Sequence, residues 1–284
     1  MKLHLPSADV CIPDGQPPDA ALARITHLGI GAHQDDLEFM AFHGIIACFH
    51  SATDWFGGVT CTNGSGSART GDYGRFSDEE MMAVRREEQR QAAIVGRYGA
   101  MLQLDYSSKV ARDPADLRLK EDLRAILAAT RPRIVYTHNP ADKHETHLAV
   151  VVPVLEAIRE LPREQRPAAV HGCEVWRNLD WMSDAEKVVH DVGGHENLAA
   201  ALNGIFDSQI AGGKRYDLGV IGRRRANATF FESHGVDSSD ALSFAMDLTP
   251  LVLDDSLDVL AYVTGFIDRF RSDVVAKLGA RLGR

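Results

Sequence analysis

The segment "AHQDDLEF" (residues 32–39) puts His33, Asp35 and Asp36 where an apolar run ends. Adjacent carboxylates repel each other, so a cation, a helix N-terminus or bulk water must compensate them. His33 and Asp36 are three residues apart, a spacing that lets an imidazole and a carboxylate face one point at a strand-to-helix turn. A second segment, "THNPADKHETH" (137–147), repeats the spacing with His144 and His147. Two histidines and one carboxylate with open positions form the donor set of a catalytic metal site, and mixed nitrogen and oxygen donors suit zinc. In this reading His33, Asp36 and His147 hold the metal, which offsets the carboxylate repulsion at Asp36. Asp35 is then free to act as general base towards a metal-activated water. His144, one helical turn from His147, is placed to stabilise an oxyanion or protonate a leaving group. A helix cap favoured by the helix dipole would also account for "HQDD", and ordinary loop histidines for His138, His144 and His147. The joint occurrence of a complete 2-His-1-carboxylate set after two strand-like runs is what points to a site.

These residues need a scaffold, and the composition supplies one. Of 284 residues, 45% are hydrophobic and 25% charged, enough apolar material for a substantial core. The net charge of -9 argues against a surface built for nucleic-acid phosphates or anionic lipid and favours a small-molecule partner. Cys11, Cys48, Cys61 and Cys173 are scattered, three of them in apolar runs, and do not read as a disulfide framework. The first residues lack an apolar signal-like core and no run approaches a membrane span, so a cytoplasmic location is expected. Oligomeric state is left open, a homo-oligomer included.

Along the chain there is no fixed-period repeat. Residues 1–23 read as an irregular leader, and 24–284 as a single α/β domain in which the C-terminal third completes the pocket. "RITHLGIGA", "WFGGVTCT", "MLQLDY" and "RIVYTH" read as strands, alternating with helices near 39–49, 77–99, 116–129 and 145–160. Ser77 and Glu80 have capping-box spacing, and Pro153 is expected to kink the last helix or mark a restart. This alternation predicts a mostly parallel, Rossmann-like sheet with helices on both faces, and ligands at the carboxyl ends of its strands.

Three further features bear on the pocket. Met81, Arg85, Glu88, Ala92 and Val95 share one helical stripe, so Arg85 and Glu88 form either a structural ion pair or, for Arg85, a substrate contact. "NGSGSARTGDYGRF" between the second strand and its helix is either a mobile rim or a solvated linker. "GRRRAN" (222–227) is a basic run in an acidic chain, either a solvated face or an anchor for an anionic group.

The motifs resemble the LmbE/PIG-L family of metal-dependent de-N-acetylases. "AHQDDLEF" is similar to that family's A-H-P-D-D-x-E, "HNPADKHETH" to its H-x-P-x-D-x-H-x-D-H, "RREEQRQAA" to its R-x-x-E-x-x-x-A helix, and "FDSQI" to its H-x-S-Q segment. The resemblance spans roughly the first 210 residues and implies zinc at His33, Asp36 and His147, Asp35 as base and His144 at the oxyanion. It further implies hydrolysis of an N-acetyl group on an amino sugar such as N-acetylglucosamine, or on a related amide. Gln34, Thr146, Asn63 and the Phe42-His43 pair depart from the pattern. Thr146 stands where an aspartate would help keep His144 protonated, with Glu145 and Asp142 as substitutes. Arg85, Arg225 and Glu232 are expected in the substrate pocket. Rival readings are a non-haem iron oxygenase using Fe2+ on the same three ligands, which has no need of Asp35, and a non-catalytic metal-binding module.

Overall fold

The computed structural model describes residues 1–284. Eight strands form one sheet in the order β1-β4-β3-β2-β5-β6-β8-β7. They are β1 (Asp9–Cys11), β2 (His27–Gly31), β3 (Phe56–Thr62), β4 (Ala100–Tyr106), β5 (Ile134–His138), β6 (Ala169–Cys173), β7 (Lys187–Asp191) and β8 (Leu242–Asp247). The five central strands, β4-β3-β2-β5-β6, are parallel, while β1, β8 and β7 add antiparallel edges. β2 and β3 are buried along their whole length, as strands covered on both faces must be.

The helices are α1 (Pro18–Ala23), α2 (Asp36–Met40), α3 (Phe42–Phe49), α4 (Asp78–Val95), α5 (Ser108–Ala111), α6 (Arg118–Thr130), α7 (Glu145–Arg159), α8 (Glu196–Gly204), α9 (Asp207–Ile210), α10 (Tyr216–Phe230), α11 (Thr249–Leu253) and α12 (Val259–Arg281). One apolar cluster packs α6 and α7 on one face through Leu123, Ile126, Val154 and Ile158. A second packs α2 and α3 on the other through Leu37, Phe42 and Ile45. No helix is long and apolar enough to cross a membrane.

The chain leaves β2 towards β3 and β4 on one side, while β5 and β6 extend the sheet on the other. The strand order therefore reverses between β2 and β5, which opens a crevice beyond their carboxyl ends. Both chemical segments emerge there. The mostly parallel α/β architecture is as expected, as are the four strands read from sequence and the capping box at Ser77 and Glu80. Three local expectations are corrected. The leader is not irregular throughout: β1 pairs with β4, and α1 buries Ala21 and Leu22. Pro153 lies inside an unbroken α7, where the carbonyl it leaves without a helical partner belongs to Ala149, a half-buried residue. The helix after β2 is split at Ala41 into α2 and α3.

Candidate metal centre and active site

The turn after β2 is shaped by close packing. A Cβ on Gly31 would lie 2.9 Å from the Cβ of Asp36, so only glycine lets the chain fold Asp36 back over the strand end. Asp35 sits in the left-handed region at φ 90°, a strained geometry for a non-glycine residue that costs about 1–3 kcal/mol. α4 holds it there: the Asp35 amide donates to Gln89 Oε1 at 3.1 Å, and Arg85 Nη2 donates to Asp35 Oδ2 at 3.1 Å and to the Gln34 carbonyl. Gln34, in place of the usual proline, donates to the Thr62 carbonyl at 3.1 Å and to Gln103 Oε1 at 3.2 Å, tying the turn to β3 and β4.

Asp36 is the hub. Its Oδ2 accepts the His33 amide at 2.7 Å and lies 3.4 Å from His33 Nδ1 and 3.3 Å from His138 Nε2, while Oδ1 lies 3.5 Å from His147 Nε2. One ligand atom each from His33, Asp36 and His147 falls within 4.8 Å of the others. His147 is aimed by Asp142, whose Oδ2 lies 3.1 Å from Nδ1; that leaves Nε2 buried with no partner and free to bind a cation. His138, not singled out as a ligand from sequence, stacks on His147 at 3.7 Å and accepts the Ala32 amide through Nε2 at 2.9 Å, which fixes the ring. A second convergent group, His138, Asp142 and His147, is wholly buried, with His147 Nδ1 bonded to Asp142 and His138 Nε2 taken up by the Ala32 amide. The first group opens onto a cavity through His33 and Asp36. Its unpaired nitrogen and mixed donors fit a divalent ion such as zinc.

The two aspartates are driven apart electrostatically. Burial pushes the Asp35 carboxyl upward, with Arg85 opposing and Asp36 adding to the rise. Asp36 is held well below the carboxylate range, because His147 and His138 outweigh the burial that would raise it. His144, at the N-terminus of α7, packs edge-on to His33 at 5.0 Å between ring centres and 4.7 Å from His147. Burial, then the charges of His147 and His33, lowers it to about 4. The expected carboxylate support is not there. Asp142 Oδ1 accepts the His144 backbone amide at 3.1 Å, Glu145 pairs with Arg112 at 3.1 Å, and the His144 Nδ1 atom is buried without a partner.

The cavity has a volume of about 660 Å³, within the range of small-molecule sites. Asp35, His144 and Arg85 all reach its wall. Arg85 is bonded to Asp35, lies 3.6 Å from Glu88 and lines the cavity, so it forms the ion pair without leaving the wall. Glu88 accepts the Ser208 amide at 2.7 Å and its hydroxyl at 2.6 Å, joining the "RREE" helix to "FDSQI". Val95, by contrast, leaves the stripe and is exposed. The glycine- and serine-rich loop forms a wall through Gly64, Gly66, Ser67 and Ala68, and is pinned by Arg69 to Asp78 at 2.6 Å and Tyr73 to Asp207 at 2.8 Å.

Arg225 and Glu232 do not join the pocket; both are exposed and absent from its lining. The helical period explains the miss. Tyr216, Val220, Arg223, Arg224 and Asn227 recur at three- or four-residue intervals on the inner face of α10, Arg225 falls outside that stripe, and Glu232 lies past the helix end. Several wall residues were not singled out from sequence. Trp176, Tyr216 and Phe39 form an aromatic side, with Trp176 and Tyr216 ring centres 5.8 Å apart and Phe39 and Tyr216 5.6 Å apart. Glu174, following β6, accepts from Asn227 at 2.7 Å and the Phe244 amide at 3.1 Å through Oε1, leaving Oε2 unpaired. Its position just beyond a parallel strand was the available signal.

The structure is an α/β protein with a Rossmann-like sheet and a group of histidine and aspartate donors, able to hold a metal ion, converging at its switch point. Residues 28–158 match the model of the family described as PIG-L, GlcNAc-PI de-N-acetylase. That match bears out the LmbE/PIG-L resemblance over the segment that carries both chemical motifs, and supports reading the protein as a de-N-acetylase hydrolase. No curated protein matches the chain. Among solved structures, N,N'-diacetylchitobiose deacetylase from Pyrococcus horikoshii is similar at a TM-score of 0.58 and 17% identity, over 84% of this chain and 85% of that one. The A40926 pseudoaglycone deacetylase Dbv21 is similar at 0.57 and 14% identity, over 79% and 97%. The 4-carboxy-2-hydroxymuconate hydratase GalB from Pseudomonas putida KT2440 is similar at 0.55 and 16%, over 79% and 96%. At these identities the likeness shows a shared fold, and a fold that also carries a hydratase does not by itself choose the reaction.

Proposed function

We propose that the protein removes an N-acetyl group from a small molecule, an amino sugar or a related amide, with a divalent ion, zinc by its donor set, held by His33, Asp36 and His147. The observation that carries this reading is the convergence of those three ligand atoms at the mouth of the cavity, with Asp35 beside them and bonded to Arg85. When bound, the ion supplies a Lewis acid and a water of lowered pKa.

Asp35 takes a proton from the attacking water as it adds to the acyl carbon, and returns that proton to the departing nitrogen. Arg85 keeps the carboxylate aimed while the left-handed backbone at Asp35 presents it to the cavity. His144 stands neutral beside His33 and donates a hydrogen bond to the tetrahedral oxyanion. Asp142 fixes the tautomer of His147. Trp176, Tyr216 and Phe39 offer flat apolar surface against which a sugar ring packs. The second carboxylate at Asp35 is what a hydrolase needs and an oxygenase does not.

A mass-spectrometric screen of zinc-loaded protein against N-acetylated amino sugars and acyl-amide metabolites tests the reading. Release of acetate and the free amine is expected, and loss of that activity on adding a chelator. Failure to cleave any amide with metal bound would overturn it.

A further inference from the structure

The C-terminal helix α12 is anchored only at its start. Val263 and Phe266 are buried, Tyr262 donates to the Asp247 carbonyl at 2.7 Å, and Arg269 pairs with Glu186 at 2.6 Å. From Ile267 to Arg284 no residue is buried. Roughly four turns, about 22 Å at 1.5 Å per residue, stand clear of the body. An isolated helix of about 15 residues is marginal in water, since helices in proteins draw most of their stability from packing an amphipathic face.

That face exists and is unpartnered. Ile267, Phe270, Val274, Leu278 and Leu282 recur at three- or four-residue steps, continuing the line of Val263, and are 43%, 42%, 43%, 55% and 58% exposed. The segment is also self-complementary when reversed. Phe270 and Leu278 lie four residues on either side of Val274, and Ile267 and Leu282 lie seven and eight residues away. Asp273 and Lys277, 2.8 Å apart within the chain, share one flank of the stripe. In an antiparallel helix pair like flanks face each other, so each Asp273 would meet the partner's Lys277 and each Lys277 the partner's Asp273.

We infer that α12 is a dimerisation helix, pairing antiparallel with α12 of a second copy about a two-fold axis at Val274. Phe270 then packs on the partner's Leu278, Ile267 on the partner's Leu282, and two Asp273–Lys277 pairs close one side. The interface is isologous, as a two-fold contact must be. Residues 267–284 carry five cations and two aspartates, and what favours a second copy over an anionic lipid surface is the placing of Asp273 and Lys277 on one flank, where a reversed copy satisfies both charges. The inference is independent of the proposed chemistry, because none of these residues lines the cavity.

Sedimentation equilibrium over a series of protein concentrations is expected to approach twice the chain mass of 31.1 kDa at the highest. Val274→Asp and Leu278→Asp are expected to give monomers with unchanged circular dichroism apart from α12 and unchanged basal activity. The direction of pairing is read by mixing Phe270→Cys with Leu278→Cys under oxidation: a disulfide between the two variants is expected, in excess of either self-linked product and of wild type. A monomeric wild type, a dimer that survives Val274→Asp, or self-linked Phe270→Cys as the main product would each overturn the inference. So would a monomer that floats with phosphatidylserine vesicles through the same stripe.

Discussion

Replacing Asp142 by asparagine should weaken metal binding without emptying the cavity of its chemistry. Asp142 Oδ2 lies 3.1 Å from His147 Nδ1, and Oδ1 accepts the His144 amide at 3.1 Å, so one carboxylate sets both the tautomer of a ligand and the loop that carries it. Its own carboxyl is held below the usual range, since the hydrogen bond and charge of His147 outweigh the burial that would raise it. Asparagine has one carbonyl oxygen and can serve only one of the two donors; its amide group, turned to His147, would favour the wrong tautomer. Loss of such a partner typically costs 10–100-fold in metal affinity, equivalent to about 1.4–2.7 kcal/mol. Competition with a chromogenic zinc chelator measures this directly, and turnover should recover substantially at saturating metal. An affinity equal to wild type would refute the orienting role of Asp142. Lost turnover at full metal occupancy would instead make it part of the chemistry.

Asp35→Asn should leave metal content near wild type and lower turnover by about 100-fold or more, as read by metal analysis and initial rates; loss of metal would mean that both aspartates are ligands. Gly64→Ala should destabilise the cavity wall by about 1–2 kcal/mol, measured as the shift of a denaturant midpoint. Gly64 has φ +74°, and a Cβ there would meet Gln34 Oε1 at 2.7 Å; an unshifted midpoint would show that the loop yields. Away from the site, the half-buried His43 and His171 pack against the buried His190 beside Tyr136, and loss of solvent lowers His171 to about 4 and His190 to about 2. Their folded values lie below the unfolded value of 6.5, so the stability they allow is complete above that pH and is lost as the pH falls towards about 4. Thermal midpoints should therefore drop between pH 6.5 and 5, and His190→Leu should flatten the slope; a flat wild-type profile would contradict the burial of neutral imidazoles.

How much of this could be read from the chain depended on whether the signal was local. The convergence of His33, Asp36 and His147 was legible because a 2-His-1-carboxylate set recurs after two strand-like runs, and because the sheet's reversal point gathers both turns. The capping box of α4 was equally local. Non-local pairing hid the rest. β1 becomes a strand only against β4, and β8, 69 residues beyond the end of β6, both extends the sheet and supplies the Phe244 amide that holds Glu174. Without α10 assigned, the period that turns Arg223 and Arg224 inward and Arg225 outward could not be applied. His144 failed differently: its type and place were clear, but whether a carboxylate would reach its ring depended on where Glu145 and Asp142 turned, and both turned elsewhere.

The most direct test of the account is a zinc-edge anomalous difference map from a crystal of metal-loaded protein. The account predicts a single strong peak in contact with His33, Asp36 and His147, with Asp35 near it but unligated. A peak among His138, Asp142 and His147, or none at the mouth of the cavity, would contradict it.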